Sequence, residues 1–122
     1  MSIMLTTTMA AALASAAPDQ PTGNLQLDFD AATQAANSGE CERALTLFAS
    51  LERDPNVKPG SLPAGAIALR KGLCLFKMSR YDEGETAILA GLPIIERAGE
   101  SFDYEVAESY SLLGKAAFSR WD

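Results

Sequence analysis

The chain has 122 residues, enough for one domain with its own core, and 16 acidic against 10 basic residues give it a net charge of −6. That balance argues against nucleic acid as a partner, because phosphate-backbone affinity depends on clustered Lys and Arg. The chain has no histidine, which removes zinc sites of the usual ligand spacing, Ser-His-Asp triads and His-activated cysteines.

Residues 1–18, MSIMLTTTMAAALASAAP, carry no charge, and Ala14-Ser15-Ala16 has the small-residue pattern that precedes a signal cleavage site. A signal peptide is the expectation here, and with it export to a periplasmic or secreted location. The alternative is a disordered Ala/Thr tail on a cytoplasmic protein. The segment is too short and too polar to cross a membrane, and no other apolar run is long enough, so no membrane span is expected. Residues 19–24, with Pro21 among them, read as a linker.

Five helical blocks follow, at 25–37, 40–54, 62–78, 81–98 and 102–121, with no competing strand pattern. The abundance of Ala fits this all-α reading. Gly39 marks the turn between the first two blocks, Asp54-Pro55-Asn56 and Pro59-Gly60 close the second, and Ser61 restarts the chain. Ser79-Arg80 leads into Tyr81-Asp82-Glu83, whose acidic residues suit a helix N-terminus. Ala98-Gly99 ends block four, with Ser101 as the cap of block five. Pro93 lies inside block four, so a kink or break is expected near Gly91-Leu92-Pro93.

Few residues offer chemistry. Leu113-Gly114-Lys115 lacks the rest of a phosphate-binding loop. Asp82, Glu83 and Glu85 read as partners of a helix dipole rather than as an acid/base pair. Cys41 and Cys74 are the two cysteines; they form a candidate disulfide if the protein is exported, and otherwise two buried thiols. Arg70, Lys71, Lys77 and Arg80 concentrate basic charge on block three, either as a solvated face or as a strip for acidic partner residues. No cofactor or metal is implied.

An internal pattern links the blocks. Ala32 and Ala44 stand 12 positions apart, as do Gly72 and Gly84, and each pair brackets a turn. Small residues at such places let two antiparallel helices approach closely. Leu45, Phe48 and Leu51 follow the first pair, and Ile88, Leu92 and Ile95 the second, at helical spacing. Gly39, Ala44, Phe48 and Pro55, then Gly72, Tyr81, Gly84 and Ile88, and finally Tyr110, Leu113, Gly114 and Ala117, resemble the motif of the tetratricopeptide repeat (TPR). The small-residue positions 32, 72 and 114 set periods of 40 and 42, so residues 25–122 look like extended members of that family.

The resemblance implies an all-α, right-handed superhelical solenoid of about two and a half antiparallel hairpins, which binds a protein or peptide without catalysis through a concave face. By position, that face would include Ala66, Leu69, Leu73, Phe76 and Lys77, then Glu108, Ser111, Lys115 and Phe118. Leu69, Leu73 and Phe76 recur at helical spacing and equally fit a core. Gln26, Phe29, Thr33, Ala66, Leu69 and Leu73 supply none of the Lys, Asn and Arg with which chaperone-binding relatives hold a peptide carboxylate. Gly114 lacks its small partner, so either the third repeat is cut short or the fifth block is a cap. Two other readings stay open. The chain could be the N-terminal accessory module of a larger exported enzyme, a caspase-like peptidase for example, or a module that self-associates through its last helix.

Overall fold

A computed structural model describes residues 21–99 and 102–120. The expected signal segment, the start of the linker, Ser101 and Trp121-Asp122 lie outside the described residues. Among the described residues five helices form: α1 (Leu25–Asn37), α2 (Cys41–Glu52), α3 (Leu62–Lys77), α4 (Tyr81–Ala98) and α5 (Asp103–Arg120). There is no strand among the described residues, and no helix there is long and apolar enough to cross a membrane.

Local chemistry explains the helix ends. Asn24 caps α1 by accepting the Leu27 amide at 3.0 Å. One turn in, the buried Asp28 carboxylate accepts the Thr22 amide at 2.8 Å and the Thr22 hydroxyl at 2.7 Å, which ties the preceding segment down. Those donors, the Thr22 amide foremost, hold the Asp28 carboxyl below the usual carboxylate range against the opposing effect of burial. α1 ends in a Schellman turn: the Gly39 amide donates to Ala36 and the Glu40 amide to Ala35, with Gly39 at φ 82°. The α3–α4 turn repeats this forty positions later, Ser79 donating to Phe76 and Arg80 to Leu75. There Ser79, not glycine, takes the left-handed φ of 64°.

α2 stops at Glu52, two residues before the expected 54, because the Asp54 side chain accepts the Asn56 amide at 2.8 Å and turns the chain ahead of Pro55. α3 opens with Ser61 as its cap, accepting the Ala64 amide at 3.4 Å, and with proline in its first turn.

The break expected near Pro93 does not occur, since α4 runs continuously from Tyr81 to Ala98. Pro93 sits on the exposed face, and the residue whose carbonyl loses its donor, Leu89, is 53% exposed, so water can take the place of the missing amide.

α3 and α4 pack antiparallel and very close. A methyl group added at Gly65 would meet Ile94 at 2.6 Å, and one at Gly91 would meet the Gly65 carbonyl at 2.5 Å, one crossing of a pair whose other member is Gly72 against Gly84. Two apolar clusters result. The first joins α1 and α2 around Leu47, Phe48 and Leu51 and takes Ile67 and Cys74 from α3. The second joins α3 and α4 around Leu69, Ile88 and Ile95 and takes in Phe102, Val106, Leu112, Leu113 and Ala116, on and just before α5, as partly buried neighbours. α3 therefore belongs to both layers.

Candidate functional site

The basic residues of α3 do not form one strip. Arg70 lies between two rings, 5.2 Å from the Phe29 centroid and 5.5 Å from that of Phe102, and donates to the Thr33 hydroxyl at 3.3 Å. Burial lowers its pKa from the ordinary arginine value, and Glu105 opposes that shift. Lys71 pairs with Glu52 at 3.1 Å, and Arg80 with Glu83 at 2.6 Å. Lys77 alone of the four is exposed with no ion-pair partner among the described residues. The reason is positional: Arg70 and Lys71 are adjacent and so face different neighbours, Arg80 lies beyond the end of α3 as the cap of α4, and each of these three meets a ring or an acid there.

Lys77 borders a groove of about 770 Å³ between the end of α3, the start of α4 and the second half of α5. Phe76, Tyr81, Leu112 and Ala116 supply its apolar surface, and the Phe76 and Tyr81 rings meet at 5.7 Å with a tilt of 58°. Lys77, Lys115, Glu108, Ser111 and Ser119 supply its polar rim, with Asp82 and Arg120 at one end. Arg120 pairs with Glu85 and stands 3.6 Å from Asp82, bridging α5 to α4. The hydrogen bond from Arg120 holds the Glu85 carboxyl below its usual range, as Arg80 does for Glu83. These acids serve helix packing and helix ends. Lys115 is exposed and, like Lys77, has no ion-pair partner among the described residues.

A smaller hollow of about 400 Å³ lies alongside, between α1, α3 and α5, lined by Thr33, Ala36, Asn37, Arg70, Leu73 and Tyr104 among others. Lys77 and Glu108 border both spaces. Glu108 accepts a hydrogen bond from Tyr104, whose hydroxyl pKa is raised by it.

Five of the nine expected groove residues, Phe76, Lys77, Glu108, Ser111 and Lys115, come together around the larger space, while Ala66 is buried in the α3–α4 core. Leu73 lines the smaller one. Leu69 is fully buried at 0% exposure and belongs to the α3–α4 core, because α4 crosses over it at Gly91. Phe118 is 75% exposed and points away from the groove. Sequence reasoning missed Tyr81, Leu112 and Ala116. The signal for the last two was present: Glu108, Leu112, Lys115, Ala116 and Ser119 recur at i, i+4, i+7, i+8 and i+11, one face of a helix.

Cys41 and Cys74 share the first cluster as buried free thiols, and Cys74 makes a hydrogen bond with Cys41. Burial pushes the Cys74 thiol up to about 12, with that hydrogen bond adding to it. Among the described residues no three His, Cys, Asp or Glu side chains gather as metal ligands. Compared with models of known families, with curated proteins and with solved structures, the chain matches none.

Proposed function

We propose that the chain is a non-catalytic binding module that takes an acidic, partly apolar protein segment into the groove between α3, α4 and α5. The observation that carries this reading is the pairing of an apolar floor with two lysines, Lys77 and Lys115, that no acid among the described residues neutralises. Such an arrangement selects a ligand with an Asp or Glu beside a large apolar side chain. The tetratricopeptide-like solenoid is the architecture we assign to it. Two observations support that assignment: the identical Schellman turns forty positions apart, and the fully buried small pair Ala32 and Ala44 beside the Gly72–Gly84 crossing. We further assign the protein to an exported compartment on the pattern of residues 1–18.

Selection of displayed peptides on the full chain tests the groove. Enriched peptides should combine acidic and large apolar residues, and the Lys77→Glu/Lys115→Glu variant should bind them at least about tenfold more weakly. Equal binding to wild type and variant would remove the groove from the function.

A further inference from the structure

The smaller hollow between α1, α3 and α5 has walls of opposite charge. Arg70, Leu73 and Lys77 recur at i, i+3 and i+7 and so present one face of α3 to it, while Glu105 and Glu108, at i and i+3, do the same from α5. α1 adds two uncharged polar side chains one turn apart, Thr33 and Asn37. The most buried lining residues are apolar: Ala36, Leu73 and Cys74.

The two charged walls do not neutralise each other by contact. Among the described residues no N···O approach of 4.0 Å or less joins Arg70 or Lys77 to an acid, yet Glu105 acts on Arg70 across the space, opposing the fall in its pKa that burial causes. Arg70 is held back from crossing the gap. Its guanidinium lies over the Phe29 and Phe102 rings and donates one N–H to Thr33 at 3.3 Å. A guanidinium carries five N–H donors around its edge, so stacking by its faces leaves most of that edge unused. Opposite it, Glu108 accepts from Tyr104, one turn earlier on the same helix, which keeps that carboxylate on its own wall.

We propose that this hollow is a binding site for a free α-amino acid with an apolar side chain, its carboxylate held by Arg70 and Lys77, its ammonium by Glu105 and Glu108, and its side chain laid on Leu73 and Ala36. The volume of about 400 Å³ falls in the range of small-molecule sites, roughly 300–1,000 Å³. Charge sets the class. A simple anion would be repelled by the two carboxylates of α5, and a simple cation by Arg70 and Lys77, whereas an α-amino acid carries both charges about one carbon and answers both walls at once. Each of its charges then gains charge-assisted hydrogen bonds in a half-buried place where an unpaired charge would be costly. This site stands independently of the peptide reading of the larger groove, although Lys77 and Glu108 border both spaces.

Calorimetric titration of the full chain with the free L-amino acids, one at a time, tests this. At least one with an apolar side chain should bind. Its N-acetyl form lacks the ammonium and its amide lacks the carboxylate, so each should bind at least about tenfold more weakly. Glu105→Gln should weaken the free amino acid by a similar factor. Glu105 does not line the larger groove, so the same variant should keep the binding of displayed peptides, which separates this site from that one. The derivatives are compared on the unaltered protein, so that comparison does not depend on how a variant folds. Binding of none of the free amino acids, equal binding of the acetylated or amidated form, or indifference to Glu105→Gln would each overturn the proposal.

Discussion

A methyl group on Gly72 would stand 2.8 Å from the carbonyl oxygen of Gly84, and one on Gly84 would stand 3.0 Å from the carbonyl oxygen of Gly72. The two helices touch backbone to backbone, and neither carbonyl can move without moving its helix. Gly72→Ala should therefore destabilise the fold by about 1–3 kcal/mol despite the better helix propensity of alanine. Gly114→Ala, with nothing within 4 Å, should stabilise it by about 0.5–1 kcal/mol. Urea midpoints of the two variants beside wild type check both signs; a Gly72→Ala protein as stable as wild type would mean that the helices separate at little cost.

Ser79 and Gly39 occupy the same place in two equivalent turns, at φ 64° and 82°. An L-residue there carries about 1 kcal/mol of strain that glycine lacks. The Ser79 hydroxyl accepts from Tyr81 at 3.3 Å on the exposed surface, which offsets little of it. Ser79→Gly should raise stability by about 0.5–1 kcal/mol and Gly39→Ala should lower it by about 1 kcal/mol. Thermal unfolding of both variants is the check, and opposite signs are required.

The helices were legible because each has a periodic apolar face and an end marked by local chemistry. The bounds expected for the first and fourth, 25–37 and 81–98, are those of α1 and α4. The Gly72–Gly84 crossing was legible from spacing alone, but its companion at Gly65 and Gly91 was not, because Gly91 stood beside Pro93 and read as part of a break. A proline's effect depends on which face carries the orphaned carbonyl, and one sequence position does not state its face. The site was harder still. Leu69 and Leu73 are four residues apart on α3, yet one is core and the other lines a hollow, a difference set by where α4 crosses and where α5 docks. The partners of Arg70, Lys71 and Arg80 likewise come from tertiary packing, which periodicity does not encode.

Asp28 links stability to pH. Its carboxyl is held below the ordinary range by donors from Thr22, so the folded state binds this proton less readily than the unfolded chain. The stabilisation is complete above the unfolded pKa of about 4 and is lost as pH falls from there through the lower folded value. Asp28→Asn should cost about 1–2 kcal/mol at pH 7, and the gap from wild type should close in acid. A variant whose deficit persists unchanged at pH 2 would locate the effect in packing instead.

Cys74, pushed up to about 12, should be nearly inert toward alkylation in the folded protein. At pH 8 its thiolate fraction is roughly 10³-fold below that of an ordinary thiol, before burial is counted. Cys41 and Cys74 share one buried cluster, so an oxidant of the thiol–disulfide class present during refolding should join them as that cluster forms. Refolding with oxidised glutathione should therefore give a monomer two hydrogens lighter with both thiols gone. Retention of two titratable thiols after such refolding would show the geometry unable to close.

Arg70 holds three helical segments together. Its guanidinium lies over Phe29 of α1 and over Phe102 at the start of α5, and its hydrogen bond to Thr33 fixes the plane. The other ties of α5 are exposed polar pairs such as Arg120 with Glu85 and the partly buried Val106, Leu112, Leu113 and Ala116, and Ser109 is its one buried residue, so its opening should be the lowest-energy opening among the five helices. A flat cation can stack on two rings at once, and an ammonium cannot. Arg70→Lys should therefore loosen α5 almost as much as Arg70→Ala, by about 1–2 kcal/mol of local opening. Native-state hydrogen exchange reads this directly: amides of α5 should lose protection in both variants while those of the α3–α4 crossing keep theirs. Equal loss across all five helices would mean that Arg70 supports the whole core rather than the docking of α5.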